Sequence, residues 1–84
     1  MVLPQQPVTL DVEQIAALNR ELANMRHDIN NHLSLVMAAV ELIRVKPQMT
    51  ERMTNTLMEQ PPKIRDSMLS FCAKFESSFG IQRD

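Results

Sequence analysis

DVEQIAALNRELANMRHDINNHLSLVMAAVELIRVK, residues 11–46, contains neither proline nor glycine, and its apolar residues return in steps of three and four: Ile15, Leu18, Leu22, Met25 and Ile29, then Val36, Ala39 and Ile43. His32 fills the one missing step. That rhythm is a heptad seam along a single α-helix, with Ile15, Leu22, Ile29, Val36 and Ile43 at position a and Leu18, Met25, His32 and Ala39 at position d. At ~1.5 Å per residue such a helix spans on the order of 54 Å. A compact monomer of 84 residues cannot contain it, so it must lie against something equally long.

Working outward, Pro4 and Pro7 flank two glutamines and mark residues 1–9 as a flexible leader. Thr9 or Asp11 can then cap the helix, and Asp11 and Glu13 suit the positive end of its dipole. Helix 1 is expected over about residues 10–46, ending at Pro47 with Arg44 and Lys46 near its carboxyl end. A turn at 47–49 leads to Thr50 and Glu51, where helix 2 begins. Its apolar residues are Met49, Met53 and Leu57, then Ile64, Met68, Phe71 and Phe75, with Phe79 a turn further on. Pro61 and Pro62 lack the N–H that a helix interior needs, so a kink or a break into two helices is expected at 61–62. Gly80 reads as a left-handed helix stop, with Ile81 folding back on Phe75. Residues 10–84 therefore read as one all-α domain, a long antiparallel helical hairpin. Each of its helices has an apolar face and nothing to cover it, and two such hairpins would form a dimeric four-helix bundle.

The totals agree with a homodimer, since a chain this short buries only about 60% of its unfolded surface when folded alone. A hydrophobic content of 44% with 4% aromatics, one glycine and seven methionines implies a helical core of aliphatic and thioether groups. Nine Lys and Arg against ten Asp and Glu leave no basic field, which argues against nucleic acid and against direct membrane contact. Cys72 is the only cysteine, so no intrachain disulfide or cysteine-based zinc site is available, and a reducing, cytoplasmic setting is expected. The first ten residues do not read as a signal peptide. The apolar run from Leu33 to Ile43 falls short of the ~20 residues of a membrane span, although a larger parent protein could still carry an anchor.

Within helix 1, residues 27–32 crowd two histidines, an aspartate and two asparagines together. His27 falls at heptad position f, away from the seam. A solvated surface histidine is the plain reading, but Asp28 follows it and Asn31 lies one turn on, on the same face. An exposed imidazole beside a carboxylate is what a phosphoryl-accepting histidine requires: one ring nitrogen free to attack, the other held with its proton. Asp28 can accept that proton, and the amide of Asn31 can position a water for the reverse, hydrolytic step.

Read as H-D-I-N-N-H-L, residues 27–33 resemble the phosphoacceptor box of sensor histidine kinases, in its His-Asp-x-Asn-Asn-x-Leu form. The resemblance to the dimerisation and histidine-phosphotransfer domain of that family extends over residues 11–80. It implies that His27 is phosphorylated, that Asp28 is its acid/base partner, and that Asn31 serves dephosphorylation of a response regulator. It also implies that Ser34, Leu35 and Ala38 contact the regulator's receiver domain, positions that read otherwise as bundle packing. Where many members have a proline that bends helix 1, this chain has His32.

Other readings of the same residues are structural. Asp28 and His32 are too few to hold a metal, and His32 reads as a partly buried, hydrogen-bonded core histidine. Cys72 reads as a small buried thiol, and the Met and Phe stripe of helix 2 as core packing. With one glycine there is no phosphate-cradling loop, so ATP and magnesium would belong to a separate ATP-binding catalytic domain and no cofactor is expected here. The leading expectation is the phosphoacceptor domain of a two-component kinase that passes its phosphoryl group to a regulator aspartate. The alternatives are a free-standing histidine phosphotransfer protein, or a non-catalytic dimeric coiled-coil scaffold with a degenerate box.

Overall fold

A computed structural model describes residues 1–82. The chain is all-helical apart from short connections: α1 spans Val12–Val45, a single 3-10 turn spans Pro47–Met49, and α2 spans Thr50–Phe79. The two long helices run antiparallel as an extended hairpin 58 × 28 × 12 Å across. Its radius of gyration is 18.1 Å, against the ~12 Å typical of a compact chain of this length. The heptad periodicity thus yields two rods side by side.

Each helix end is set by local chemistry. At the start of α1 the carboxylate of Asp11 accepts from the Gln14 backbone N–H at 2.7 Å, and the Gln14 side chain accepts from the Asp11 N–H at 2.9 Å. This capping box satisfies two donors that the helix leaves unpaired. At the turn, Thr50 donates its hydroxyl to the Pro47 carbonyl at 2.6 Å, closing the connection to α2. At the end of α2, Gly80 adopts φ 68° and ψ 27°. The Ile81 N–H then bonds the Glu76 carbonyl at 2.8 Å and the Gly80 N–H bonds that of Ser77 at 3.4 Å, a Schellman closure. Ile81 and Phe75 border the same pocket.

The expected break into two helices at 61–62 does not occur: α2 is one helix that includes Pro61 and Pro62, although each of them lacks the N–H of a helix interior.

The seam divides in a way that the heptad register alone does not specify. The d positions Leu18, Met25, His32 and Ala39 are covered to varying degrees, and Ala39 is buried at 2% exposure. The a positions divide among themselves, Ile29, Val36 and Ile43 being half-buried and Ile15 and Leu22 exposed, as are Leu33 and Val40 at position e. On α2, Met53, Leu57, Ile64 and Phe71 are half-buried, whereas Met68 and Phe75 are exposed. Phe71, Phe75 and Phe79 form a ladder along the helix, with ring centroids 6.0 and 4.7 Å apart. Cys72, expected to be buried, is half-exposed.

The leader is not free of the hairpin. Val2 forms an antiparallel bridge with Gln82 through N···O bonds of 2.6 and 2.9 Å. Met1 borders the pocket formed by Phe71, Cys72, Phe75 and Ile81.

Replacing Asp11 with alanine should lower unfolding free energy by about 1 kcal/mol through loss of the cap, read by urea denaturation followed by circular dichroism. Gly80→Ala should cost about 1 kcal/mol in the same measurement, because a Cβ there meets nothing within 4 Å and the penalty is conformational alone.

Candidate functional site

The residues singled out in the sequence lie on the outer side of α1. His27, Asn31, Ser34 and Ala38 follow one another at four, three and four residues and form a single stripe, with Asp28 and Leu35 beside it. All six are exposed. The stripe faces away from α2, so nothing in the hairpin blocks approach to the His27 ring.

The partner of that ring is Asn31 rather than Asp28. The Asn31 amide nitrogen lies 3.4 Å from His27 Nε2, a long contact of the i, i+4 kind that adds a few tenths of a kcal/mol in solvent. With the amide donating, Nε2 presents its lone pair and the neutral ring carries its proton on Nδ1. Asp28 instead borders a shallow cleft between the helices, lined also by Asp66, Ser67 and Ser70. Adjacent residues on a helix do not face each other, and its carboxylate makes no hydrogen bond to the His27 ring.

His32 lies on the opposite side of α1 and has the role expected for a core histidine. It is half-buried, and its Nδ1 lies 2.8 Å from the Gln60 side-chain oxygen. The Gln60 amide nitrogen donates to the Thr56 carbonyl at 2.9 Å. That donation turns the Gln60 oxygen toward His32, so His32 Nδ1 carries the proton and donates. Protonating Nε2 leaves this bond in place. Gln60 is 1% exposed, the most deeply covered side chain among the described residues.

The sequence reading passed over Gln60, yet the signal was present. Met53, Leu57, Gln60 and Ile64 follow at steps of four, three and four, so Gln60 occupies an inward position of α2. A second link between the helices, Lys74 to Glu21 at 2.6 Å, fixes the same antiparallel alignment nearer the open end. Being half-exposed, it contributes ~0–1 kcal/mol.

A groove of about 450 Å³ runs along the side of the hairpin bounded by Leu33 and Val36 of α1 and by Pro61, Ile64, Met68 and Cys72 of α2. Its walls are almost wholly apolar. Among the described residues no three His, Cys, Asp or Glu side chains come together to hold a metal ion, and no helix is long and apolar enough to cross a membrane.

No family model matches the chain, and no curated protein or solved structure is significantly similar to it. The case for a function rests on the residues and their placement.

Gln60→Leu should destabilise the hairpin by ~1–3 kcal/mol, because the Nδ1–H of His32 loses its acceptor inside the seam. The double variant His32→Leu with Gln60→Leu should recover much of that loss, as urea unfolding midpoints would report.

Proposed function

We propose that the chain is the dimerisation and phosphoacceptor domain of a two-component sensor histidine kinase. His27 accepts the γ-phosphoryl group of ATP and hands it to an aspartate of a response-regulator receiver domain. The observation that carries this reading is the placement of the His27 imidazole: exposed, on the outward stripe of a long helix, with Nε2 as the acceptor nitrogen in its contact with Asn31.

In the forward step the lone pair of Nε2 attacks the γ-phosphorus. The bond to the bridging oxygen breaks, and ADP leaves with that electron pair. The new N–P bond makes the ring cationic, and the Nδ1 proton passes to a base, for which Asp28 is the adjacent carboxylate after rotation. Attack by a regulator aspartate oxygen then forms an acyl phosphate and returns the electrons of the N–P bond to Nε2, while Nδ1 takes its proton back from the base so that neutral imidazole leaves. Asn31 must release Nε2 for the first step, and its amide can afterwards orient a water toward the regulator's acyl phosphate. Positioning is most of what the domain supplies. ATP and magnesium are held by the separate catalytic domain. Ser34, Leu35 and Ala38 continue the His27 stripe and offer a low-relief surface for the receiver domain.

Dimerisation into a four-helix bundle belongs to the same reading. The hairpin buries little by itself, and its apolar groove is flanked by exposed Leu33, Val40, Met68 and Leu69. A contiguous apolar face of this kind signals an interface. Its broad side, 58 by 28 Å, exceeds the ~800 Å² per partner that a standard interface buries. A second copy that covers this side leaves the His27 stripe outward on both chains.

With ATP, magnesium and an ATP-binding catalytic domain supplied in trans, acid-labile phosphate should appear on the wild-type chain and vanish in His27→Gln. Label that persists in His27→Gln, or never appears on either protein, would overturn the assignment. Sedimentation equilibrium should return twice the 9.6 kDa chain mass, and Leu33→Glu with Met68→Glu should shift it to the monomer.

A further inference from the structure

The open end of the hairpin, opposite the turn, is where the seam of α1 is least covered. Its a positions there, Ile15 and Leu22, are exposed, whereas Ile29, Val36 and Ile43 nearer the turn are half-buried. The leader is anchored at this same end. Val2 exchanges two backbone hydrogen bonds with Gln82, and Met1 borders the pocket lined by Phe71, Cys72, Phe75 and Ile81. Cys72 also lines the apolar groove that Leu33, Val36, Ile64 and Met68 bound. On α2, Pro61, Ile64, Met68, Cys72 and Phe75 follow one another at steps of three and four, so groove and pocket belong to one side of that helix.

Along an extended backbone, successive side chains point to opposite sides, so the two neighbours of the bridged Val2 share a side. Met1 and Leu3 therefore lie together, and Met1 meets the apolar side of α2. Both nevertheless stay largely in solvent, Met1 at 69% exposure and Leu3 at 56%. Two backbone hydrogen bonds thus hold apolar side chains beside the face without covering them.

We propose that the leader is part of the dimer interface: the second copy of the chain that covers the apolar groove also seats on Met1 and Leu3, which the Val2–Gln82 bridge holds in place for it. The inference rests on the dimeric reading of the hairpin and extends it to a segment outside both helices. The occupant follows from shape and continuity. The apolar surface runs from the groove at Leu33 and Val36 through Cys72 to the leader, along the side of a hairpin 58 Å long. That is an elongated protein interface rather than the enclosed cleft that a small molecule needs. A second copy brings the same apolar face, and in a two-fold interface each leader meets the partner, so every leader contact is made twice. The bridge also lowers the cost of association, because a segment already fixed by backbone bonds has less freedom to lose on binding.

Sedimentation equilibrium of the full chain over a range of concentrations tests the proposal. Val2→Pro removes the N–H that Val2 donates to the Gln82 carbonyl, and Leu3→Glu places a charge on the side of the leader that carries Met1. Each should raise the dimer dissociation constant about tenfold or more, with helix content by circular dichroism unchanged. Val8→Glu, the same change of charge in a leader residue beyond the bridge, should leave the constant as it is. Alkylation of Cys72 by iodoacetamide gives a second readout, since this thiol lines both the pocket and the groove. Its rate in the wild type should fall about tenfold as the chain dimerises, because a covered thiol reacts only from the dissociated form. A wild-type dimer whose constant is unchanged by Val2→Pro and Leu3→Glu would overturn the role of the leader and leave the dimer standing. Tighter association in those variants would also overturn it, by showing that the leader competes with the second copy. A wild type that stays at 9.6 kDa at every concentration removes the dimeric reading and this inference with it. Should a variant lose helix content, the wild-type Cys72 rates decide, and equal rates in monomer and dimer reject the proposal.

Discussion

Two helices share only one line of contact, and that constraint governs the rest of the molecule. A side chain can be enclosed only if it points at the neighbouring rod, and in this hairpin the enclosed residues are a methyl group at Ala39 and the amide of Gln60. The most completely covered interaction is accordingly a hydrogen bond between His32 and Gln60 in place of an aliphatic cluster. Polar pairing at an inward position fixes alignment more than it adds stability, since an apolar pair tolerates sliding by a turn and a single donor and acceptor do not. The alignment of α1 with α2 follows from that bond, with the Glu21–Lys74 pair in support.

The outward placement of the candidate site is a consequence of the same geometry. With His32 and Ala39 of α1 turned toward α2 and Leu33 and Val36 lining the apolar groove, the remaining side of the helix is the one that carries His27, Asn31, Ser34 and Ala38. The candidate site and the apolar groove thereby lie on opposite sides of one rod. A partner that covers the groove does not compete with one that approaches the histidine.

Much of the fold was legible because it depends on short-range rules. The Asp11 cap, the end of α1 before Pro47, the restart at Thr50 and the left-handed Gly80 each rest on a few adjacent residues, and each lies within a residue or two of where the sequence places it. The prolines misled as to a break, because a local rule that disfavours them in a helix interior does not include the contacts that α2 makes with α1. The uneven cover of the a positions, half-buried at Ile29, Val36 and Ile43 but exposed at Ile15 and Leu22, was hidden for a related reason: periodicity gives the width of an apolar stripe and not how much of it one neighbour can cover. His27, Asp28 and Asn31 were legible as a group on one helix. Their pairing was not, since the choice of Asn31 over Asp28 as the partner of His27 depends on side-chain rotamers.

The bridge between Val2 and Gln82 closes the open end of the hairpin with two backbone hydrogen bonds. Force applied at Met1 and Gln82 would meet those two bonds before any other part of the fold. Beyond them the helices would unzip in sequence, first the Glu21–Lys74 contact, then His32–Gln60, with the Pro47–Met49 turn last to feel the load.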